Sequence, residues 1–341
     1  MNFPELLEEL LAGEDLSVSR SEETMDQIMD GLLDEAQIGA LLVALRAKGE
    51  TPAEIAGFAR SMRSHARGFE VDSQYRPLVD TCGTGGDSVE TVNISTMSAI
   101  VAAAGGAAVA KHGNRSVSSN CGSADLLEEL GVKIELEPEQ VKECIEKVGI
   151  GFMYAPKFHS AMKYAIGPRK SLSIRTVFNL LGPLTNPARA DRQLLGVFSE
   201  HWVKPVAQAL KELGVQKALV VHGTDGMDEI SLSAPTVYAE LNNGELTEGR
   251  FSAEDFGFEN IELADIAGGE PDHNLAMARH LFAGEAPAPV TNIVAANAGA
   301  VLYLSDKAAS LREAVELALE TIRSGAVQNQ LDNLVEISNS V

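Results

Sequence analysis

The chain has 341 residues, 45% of them hydrophobic, and carries 49 acidic against 27 basic side chains for a formal charge of -22. That length can bury a large core as two domains or one large one, while the acidic balance argues against nucleic acid or an anionic membrane as a general partner. Cys82, Cys121 and Cys144 are far apart with no Cys-x-x-Cys pair, so neither a disulfide framework nor a zinc site is indicated and a cytoplasmic location is expected.

Met1 is followed by an acid-rich amphipathic helix rather than a basic leader, and no apolar run reaches membrane length. Residues 1 to about 68 read as four short helices. Leu6, Leu7, Leu10 and Leu11 share one face, and Met25, Ile28, Met29 and Leu32 repeat the pattern behind a Ser19-x-x-Glu22 capping box. Ile38, Leu41, Leu42 and Leu45 stripe a third helix that Gly49 ends. Thr51-Pro52-Ala53-Glu54 starts a fourth carrying Ile55, Phe58 and Met62. These stripes imply packing and no chemistry.

From Leu78 onward strands and helices alternate, which predicts an α/β domain with a mostly parallel sheet flanked by helices and ligands at the strand C-terminal ends. The apolar pair Leu78-Val79 runs into Gly83-Thr84-Gly85-Gly86-Asp87, a loop whose missing side chains let backbone N–H groups face an anion. Asn93 and Ser95 open a helix over residues 95–104, whose N-terminus favours negative charge by roughly 0.3–1 kcal/mol when exposed. A strand over 107–110 delivers Lys111 to the same edge. Lys111 and Arg115 add positive charge there, and Ser118, Ser119 and Ser123 add hydroxyl donors before a helix that starts near Ala124.

A helix over 138–148 leads to a strand over 151–154. Residues 161–179 read as helical again and resemble the first bundle more than the α/β units, so they are expected to cross back and complete it, with Arg169 at the hinge. The Gly/Pro loop 181–187 precedes a strand over 194–198, a helix over 202–213 and a strand over 218–221. The last of these ends in His222-Gly223-Thr224-Asp225-Gly226-Met227-Asp228-Glu229, a second loop at a strand end and the densest acid cluster expected to be functional. Asn242-Asn243-Gly244 reads as a hairpin turn. Beyond Pro271 the chain is mostly helical, with 295–304 buried. The domains expected are a small N-terminal helical bundle over 1–70, completed by about 160–185, and a larger α/β domain over 71–159 and 186–341.

Gly83 to Asp87, Asn93-Ile94-Ser95-Thr96, Lys111-His112-Gly113-Asn114-Arg115 with Ser118-Ser119, Arg175-Thr176-Val177-Phe178-Asn179 with 180–187, and Asp228-Glu229 occur in that order. Together they resemble the anthranilate phosphoribosyltransferases, a nucleoside phosphorylase-like phosphoribosyltransferase family, over nearly the whole chain. The resemblance implies a homodimer that uses magnesium and phosphoribosyl pyrophosphate and joins the phosphoribosyl group to the amine of anthranilate, the second step of tryptophan biosynthesis from chorismate. It implies sugar-phosphate contacts from Gly83, Gly86, Asp87, Thr91, Asn93, Ile94, Ser95, Thr96, Lys111, His112, Gly113, Asn114, Arg115, Ser116, Val117, Ser118, Ser119 and Ser123. Anthranilate would meet Gly83, Asn114 and Arg169, the Mg2+ would meet Ser95, Asp228 and Glu229, and Lys111, Asp228 and Glu229 would be the catalytic groups.

The chemistry suits those residue types. Magnesium takes oxygen ligands and would bridge the oxygens of a leaving pyrophosphate. An aromatic amine is neutral at pH 7, so positioning and electrostatics can replace a strong general base. Its carboxylate asks for a cation, Arg169, and Asn114 can accept from the amine. His112 and His159 are candidate pocket walls or proton relays. Val92, Asn120-Cys121 and Ile166-Gly167-Pro168 depart from the family pattern. Two alternatives stay open: a pyrimidine nucleoside phosphorylase-like enzyme, whose chains are usually longer, and a non-catalytic nucleic-acid-binding relative, which would show a basic groove and degraded metal acids.

Overall fold

The computed structural model describes residues 2–87, 89–115 and 121–341. The first four helices are α1 (Phe3–Leu11), α2 (Val18–Met29), α3 (Glu35–Lys48) and α4 (Pro52–His65). Their starts are chemically specified. Thr51 and Glu54 exchange a capping box in front of Pro52, and Asp34 and Gln37 do the same for α3, satisfying N–H groups that the helix itself leaves open.

Two readings of this region are corrected. The N-cap of α2 is Ser17, whose hydroxyl accepts from Arg20 N at 3.2 Å, so Ser19 lies inside the first turn and cannot cap it. Leu11 and Leu32 are 64% and 63% exposed, because Leu11 closes α1 and Leu32 lies beyond the last turn of α2. Leu6, Leu10, Met25, Ile28, Met29, Ile38, Leu41, Leu42, Leu45, Ile55, Phe58 and Met62 are buried.

The α/β part contains β1 (Leu78–Gly83), α5 (Ile94–Ala104), β2 (Ala108–Gly113), α6 (Ser123–Glu129), α7 (Pro138–Val148), β3 (Ile150–Tyr154) and α8 (Ala155–Phe158). Then come α9 (Lys163–Leu172), α10 (Phe178–Leu181), β4 (Arg192–Gly196), α11 (Val203–Glu212), β5 (Lys217–Gly223), β6 (Thr236–Asn242) and β7 (Glu245–Phe251). The chain closes with α12 (Pro271–Phe282), α13 (Ala288–Leu304), α14 (Leu311–Arg323) and α15 (Ala326–Ser340). Here β2 runs on through Gly113, so Lys111 and His112 belong to the strand and not to a loop after it. The segment 161–179 is not one helix: Ser173, at φ +51°, ends α9 in a left-handed turn.

One seven-stranded sheet runs in the order β3-β2-β1-β4-β5-β6-β7. The first five strands are parallel, and β6 and β7 are antiparallel additions joined through Asn243-Gly244. The chain moves outward from β1 to β3, then returns to place β4 on the other side of β1. That reversal makes the C-terminal ends of β1 and β4 the natural ligand crevice. One buried cluster joins α5, α13, α14 and α15 to a sheet face; a second joins α1 to α4 with Ala165 of α9, with α11 and with the opposite face of β4 and β5. Thus α9 returns to pack on α2 and α3.

Candidate active site

The crevice brings three loops together. Gly85 and Gly86 follow β1 at φ +64° and +67°, a left-handed path that only glycine follows without strain. It turns backbone N–H groups toward the loop after β5. There the carboxylate of Asp228 accepts from Gly85 N at 2.7 Å, and that of Glu229 accepts from Ser95 N, in the first turn of α5, at 3.2 Å. The two anion-seeking positions read from the sequence are therefore both faced by acid side chains. The close approach depends on β4: a Cβ on Gly196 would lie 1.4 Å from the Asp228 carbonyl oxygen.

Burial, and then the neighbouring Asp228, push the carboxyl of Asp87 up to about 7 and that of Glu229 up to about 8. Asp228 is also raised by burial. Three acids crowd one place, Asp228 buried and Asp87 and Glu229 partly exposed, where adjacent negative charges resist ionising together. Lys111 supplies the opposing charge. Its ammonium donates to Thr81 O at 2.7 Å and reaches Ser95 Oγ at 3.5 Å, so it sits between the end of β1 and the start of α5.

The remaining predicted positions have local partners of their own. Gly83 ends β1 against the Asp228 carboxylate. Thr91 bridges Ala267, while Ile94 and Thr96 are buried in the first turn of α5. Asn93 makes no side-chain cap; its amide donates to Cys121 O at 2.8 Å. Gly113 packs on Ser123, whose hydroxyl donates to Asn114 O at 3.2 Å. The Asn114 side-chain oxygen accepts from Arg115 N at 2.8 Å and keeps a second lone pair.

Arg115 turns away from the diphosphate loops to pair with Asp125 and Glu128 at 2.9 Å each. Its side chain is 41% exposed, and the two acids raise its pKa further. Ser116, Val117, Ser118 and Ser119 lie outside the described residues. His112 and His159 face one another with ring centroids 5.0 Å apart. Burial holds both neutral, His159 down to about 4 and His112 well below the usual range. Arg169 stacks over Phe178 with its guanidinium carbon 5.2 Å from the ring centroid and forms no ion pair with a described carboxylate.

A profile described as the glycosyl transferase family, a/b domain, matches residues 75–328, and one described as the helical bundle domain of that family matches residues 4–66. The anthranilate phosphoribosyltransferase of Alkalilimnicola ehrlichii is 53% identical over 329 residues, 96% of each chain. The crystal structure of the Thermus thermophilus anthranilate phosphoribosyltransferase superposes with a TM-score of 0.93 at 46% identity, covering 98% of this chain and 99% of that one. The chain belongs to the anthranilate phosphoribosyltransferase family. The Saccharomyces cerevisiae member, solved in complex with PRPP and Mg, has a TM-score of 0.89 at 26% identity and covers 99% of this chain and 98% of its own.

For a family with a magnesium complex, the acid set here has a suitable character. Among the described residues no three His, Cys, Asp or Glu side chains close into a ready-made metal cage. Asp228 and Glu229 instead form an open oxygen set with unfavourable charge of its own, matching an ion that takes one or two carboxylates and completes its shell from water and phosphate.

Sequence reasoning gave no role to Asp80 or Gly196, and it named Arg175 and Asn186 only as members of longer motifs. Arg175 stacks 4.4 Å over Phe198 and donates to Gly86 O, holding the glycine loop from the α9–α10 connection. Asp80 carried a legible signal, a charge in the middle of the buried run Leu78-Val79-Asp80-Thr81-Cys82, since a buried charge must find partners.

Proposed function

We propose that this family member transfers the phosphoribosyl group of 5-phosphoribosyl 1-pyrophosphate to the amine of anthranilate, giving N-(5-phosphoribosyl)anthranilate and pyrophosphate. The observation that carries the reading is the convergence of Gly85 N, Ser95 N, Lys111 Nζ and the Asp228-Glu229 pair on one crevice. Mg2+ held by Asp228, Glu229 and Ser95 would neutralise charge on the departing pyrophosphate. The glycine loop and the first turn of α5 bind the diphosphate through backbone N–H groups, and Lys111 adds a fixed positive charge. The bond from the anomeric carbon to the pyrophosphate oxygen breaks with its electron pair leaving on oxygen. The amine nitrogen forms the new bond to that carbon and releases one proton to water.

The acceptor side is proposed to combine uncharged rings with one cation. His112 and His159 supply uncharged ring faces, Phe178 carries the Arg169 guanidinium, and that cation has no described counter-ion. A flat aromatic acid that brings its own carboxylate fits such a wall. The site residues named from the sequence are proposed in the same roles, with Arg115 the exception in its present pairing. Residues 1–70 with about 160–185 are proposed as the helical domain and 71–159 with 186–341 as the α/β domain, supported by the packing of α9 on α2 and α3. A cytoplasmic homodimer is proposed as well, supported by three free cysteines and by the exposed apolar side chains Leu11, Leu32 and Val43 on the bundle. No helix among the described residues is long and apolar enough to cross a membrane.

Loss of anthranilate fluorescence tests the reaction. It is expected only when phosphoribosyl pyrophosphate and magnesium are both present. Phosphate-dependent nucleoside cleavage without that loss would overturn the reading in favour of a phosphorylase.

A further inference from the structure

Strands β1 and β2 pair at Leu78 with Ala108 and Val79 with Val109, and their register ends there. On their outer sides the ladders continue, β1 with β4 as far as Gly83 and β2 with β3 as far as Gly113. The two strands therefore part immediately before the site, and Ala110 and His112 turn backbone groups into the gap. Unpaired, buried polar backbone of that kind is costly. Two side chains fill it.

The Asp80 carboxylate, 0% exposed, accepts from His112 N at 3.2 Å through one oxygen. Through the other it accepts from Asn186 Nδ2 at 2.8 Å and from Cys82 Sγ at 3.7 Å. The same Asn186 amide donates to Ala110 O at 2.8 Å, and its oxygen accepts from Ala188 N at 2.9 Å. Ala110 O and His112 N belong to the two peptide groups that flank Lys111. Both are thus pinned by the Asp80–Asn186 pair, while the far end of Lys111 is fixed by Thr81 O and Ser95 Oγ. Burial works against the charged forms of both Asp80 and Lys111, and the donors around Asp80 together with the opposite charge of each partner offset it.

We propose that Asp80 and Asn186 are positioning residues for Lys111, a wedge between two parted strands that aims its ammonium at the pyrophosphate of the sugar substrate. The inference rests on the phosphoribosyl pyrophosphate reading of this site. A geometric error of about 1 Å in a group facing the reacting atoms is enough for a loss on the order of 100-fold, so the wedge acts on catalysis without touching substrate.

The test combines Asp80→Asn and Asn186→Ala with Lys111→Met. Each wedge variant is expected to lower kcat/KM for phosphoribosyl pyrophosphate by about 10–100-fold while the KM for anthranilate stays within about two-fold. In the Lys111→Met background the same substitutions are expected to cost less than about three-fold more, because the group they aim is gone. A merely structural role would give equal losses in both backgrounds, and that result, or no loss in either, overturns the proposal. Thermal melting identifies a variant that fails to fold, and the Asn186→Ala arm then carries the comparison without burying a new charge. Calorimetric binding of magnesium pyrophosphate to the same proteins reads the wedge without any acceptor. A wild-type chain inactive toward anthranilate would sink the functional reading and the kinetic arm with it, and the calorimetric arm then decides the wedge. Weaker magnesium pyrophosphate binding in the wedge variants, an effect absent in the Lys111→Met background, is expected, and unchanged binding overturns the proposal.

Discussion

Arg169 is held by stacking and not by a counter-charge. Its guanidinium lies over the Phe178 ring, partial burial pushes its pKa down, and no described acid pairs with it. A cation kept in that condition gains most from a ligand that brings a carboxylate, a charged hydrogen bond worth about 1.5–3 kcal/mol. Arg169→Ala is expected to raise the anthranilate KM by about 10–100-fold and leave the phosphoribosyl pyrophosphate KM within about two-fold. Steady-state kinetics with each substrate varied in turn checks it, and equal losses for both would contradict the assignment. The role of Gly196 is steric. Gly196→Ala sets a methyl against the Asp228 carbonyl oxygen, so the loop must move. Magnesium-dependent turnover is expected to drop by about 100-fold with a melting temperature lower by a few degrees; unchanged kinetics would show that the loop relaxes without consequence. The role of Gly196 was not legible in the sequence, nor was that of Asn186, although Asn186 lies in the quoted stretch 180–187. A single glycine in a strand or asparagine in a loop has no local pattern, and the partners of these two lie 32 and 106 positions away, at Asp228 and Asp80.

Elements were legible where chemistry repeats locally. The start of α4 at Thr51-Pro52-Ala53-Glu54 and the helix Pro138–Val148 follow from side chains a few positions apart, which sequence displays directly. Ser17 displaced Ser19 as the cap of α2 because a one-turn ambiguity between nearby serines is decided by backbone direction. The break at Ser173 had no Gly or Pro at the break itself to announce it. The glycine loop, the start of α5 and the acid loop were each visible, but not that the third covers the amides of the first two. That contact has a consequence for magnesium. While Asp228 and Glu229 accept from Gly85 N and Ser95 N, an incoming diphosphate competes with the two acid side chains for the same donors and is repelled by the negative charge the pair carries. A cation that draws the acids to itself removes both obstacles. The Asp228→Asn, Glu229→Gln double variant is expected to lose magnesium-dependent turnover by about 100-fold or more. It should also bind pyrophosphate in the presence of a chelator at least as tightly as the wild type. Calorimetry with and without the chelator separates the two effects, and unchanged magnesium dependence would refute the role given to the pair.

For the molecule as a whole, the fold and family were readable because many motifs agreed in order along the chain. The surplus of acid was equally plain and has a different physical meaning. With 49 acidic and 27 basic side chains, 49 − 27 gives 22 uncompensated negative charges. Many of the ion pairs that do form are exposed, including Lys204–Glu248, Arg250–Glu200 and Lys147–Glu143, and pairs of that kind contribute about 0–1 kcal/mol each. Like-charge repulsion spread over the surface acts at longer range, and added salt shortens that range from about 30 Å at 0.01 M to about 10 Å at 0.1 M. Repulsion should therefore lose more from screening than the scattered pairs do. The melting temperature is expected to rise by about 3–8 °C between 10 mM and 500 mM sodium chloride. Calorimetric scans at fixed pH, in chloride and not sulfate so that salt exclusion from apolar surface stays small, check it. A melting temperature that falls over that range would mean that the surface ion pairs, and not the net charge, dominate the electrostatic balance of the fold.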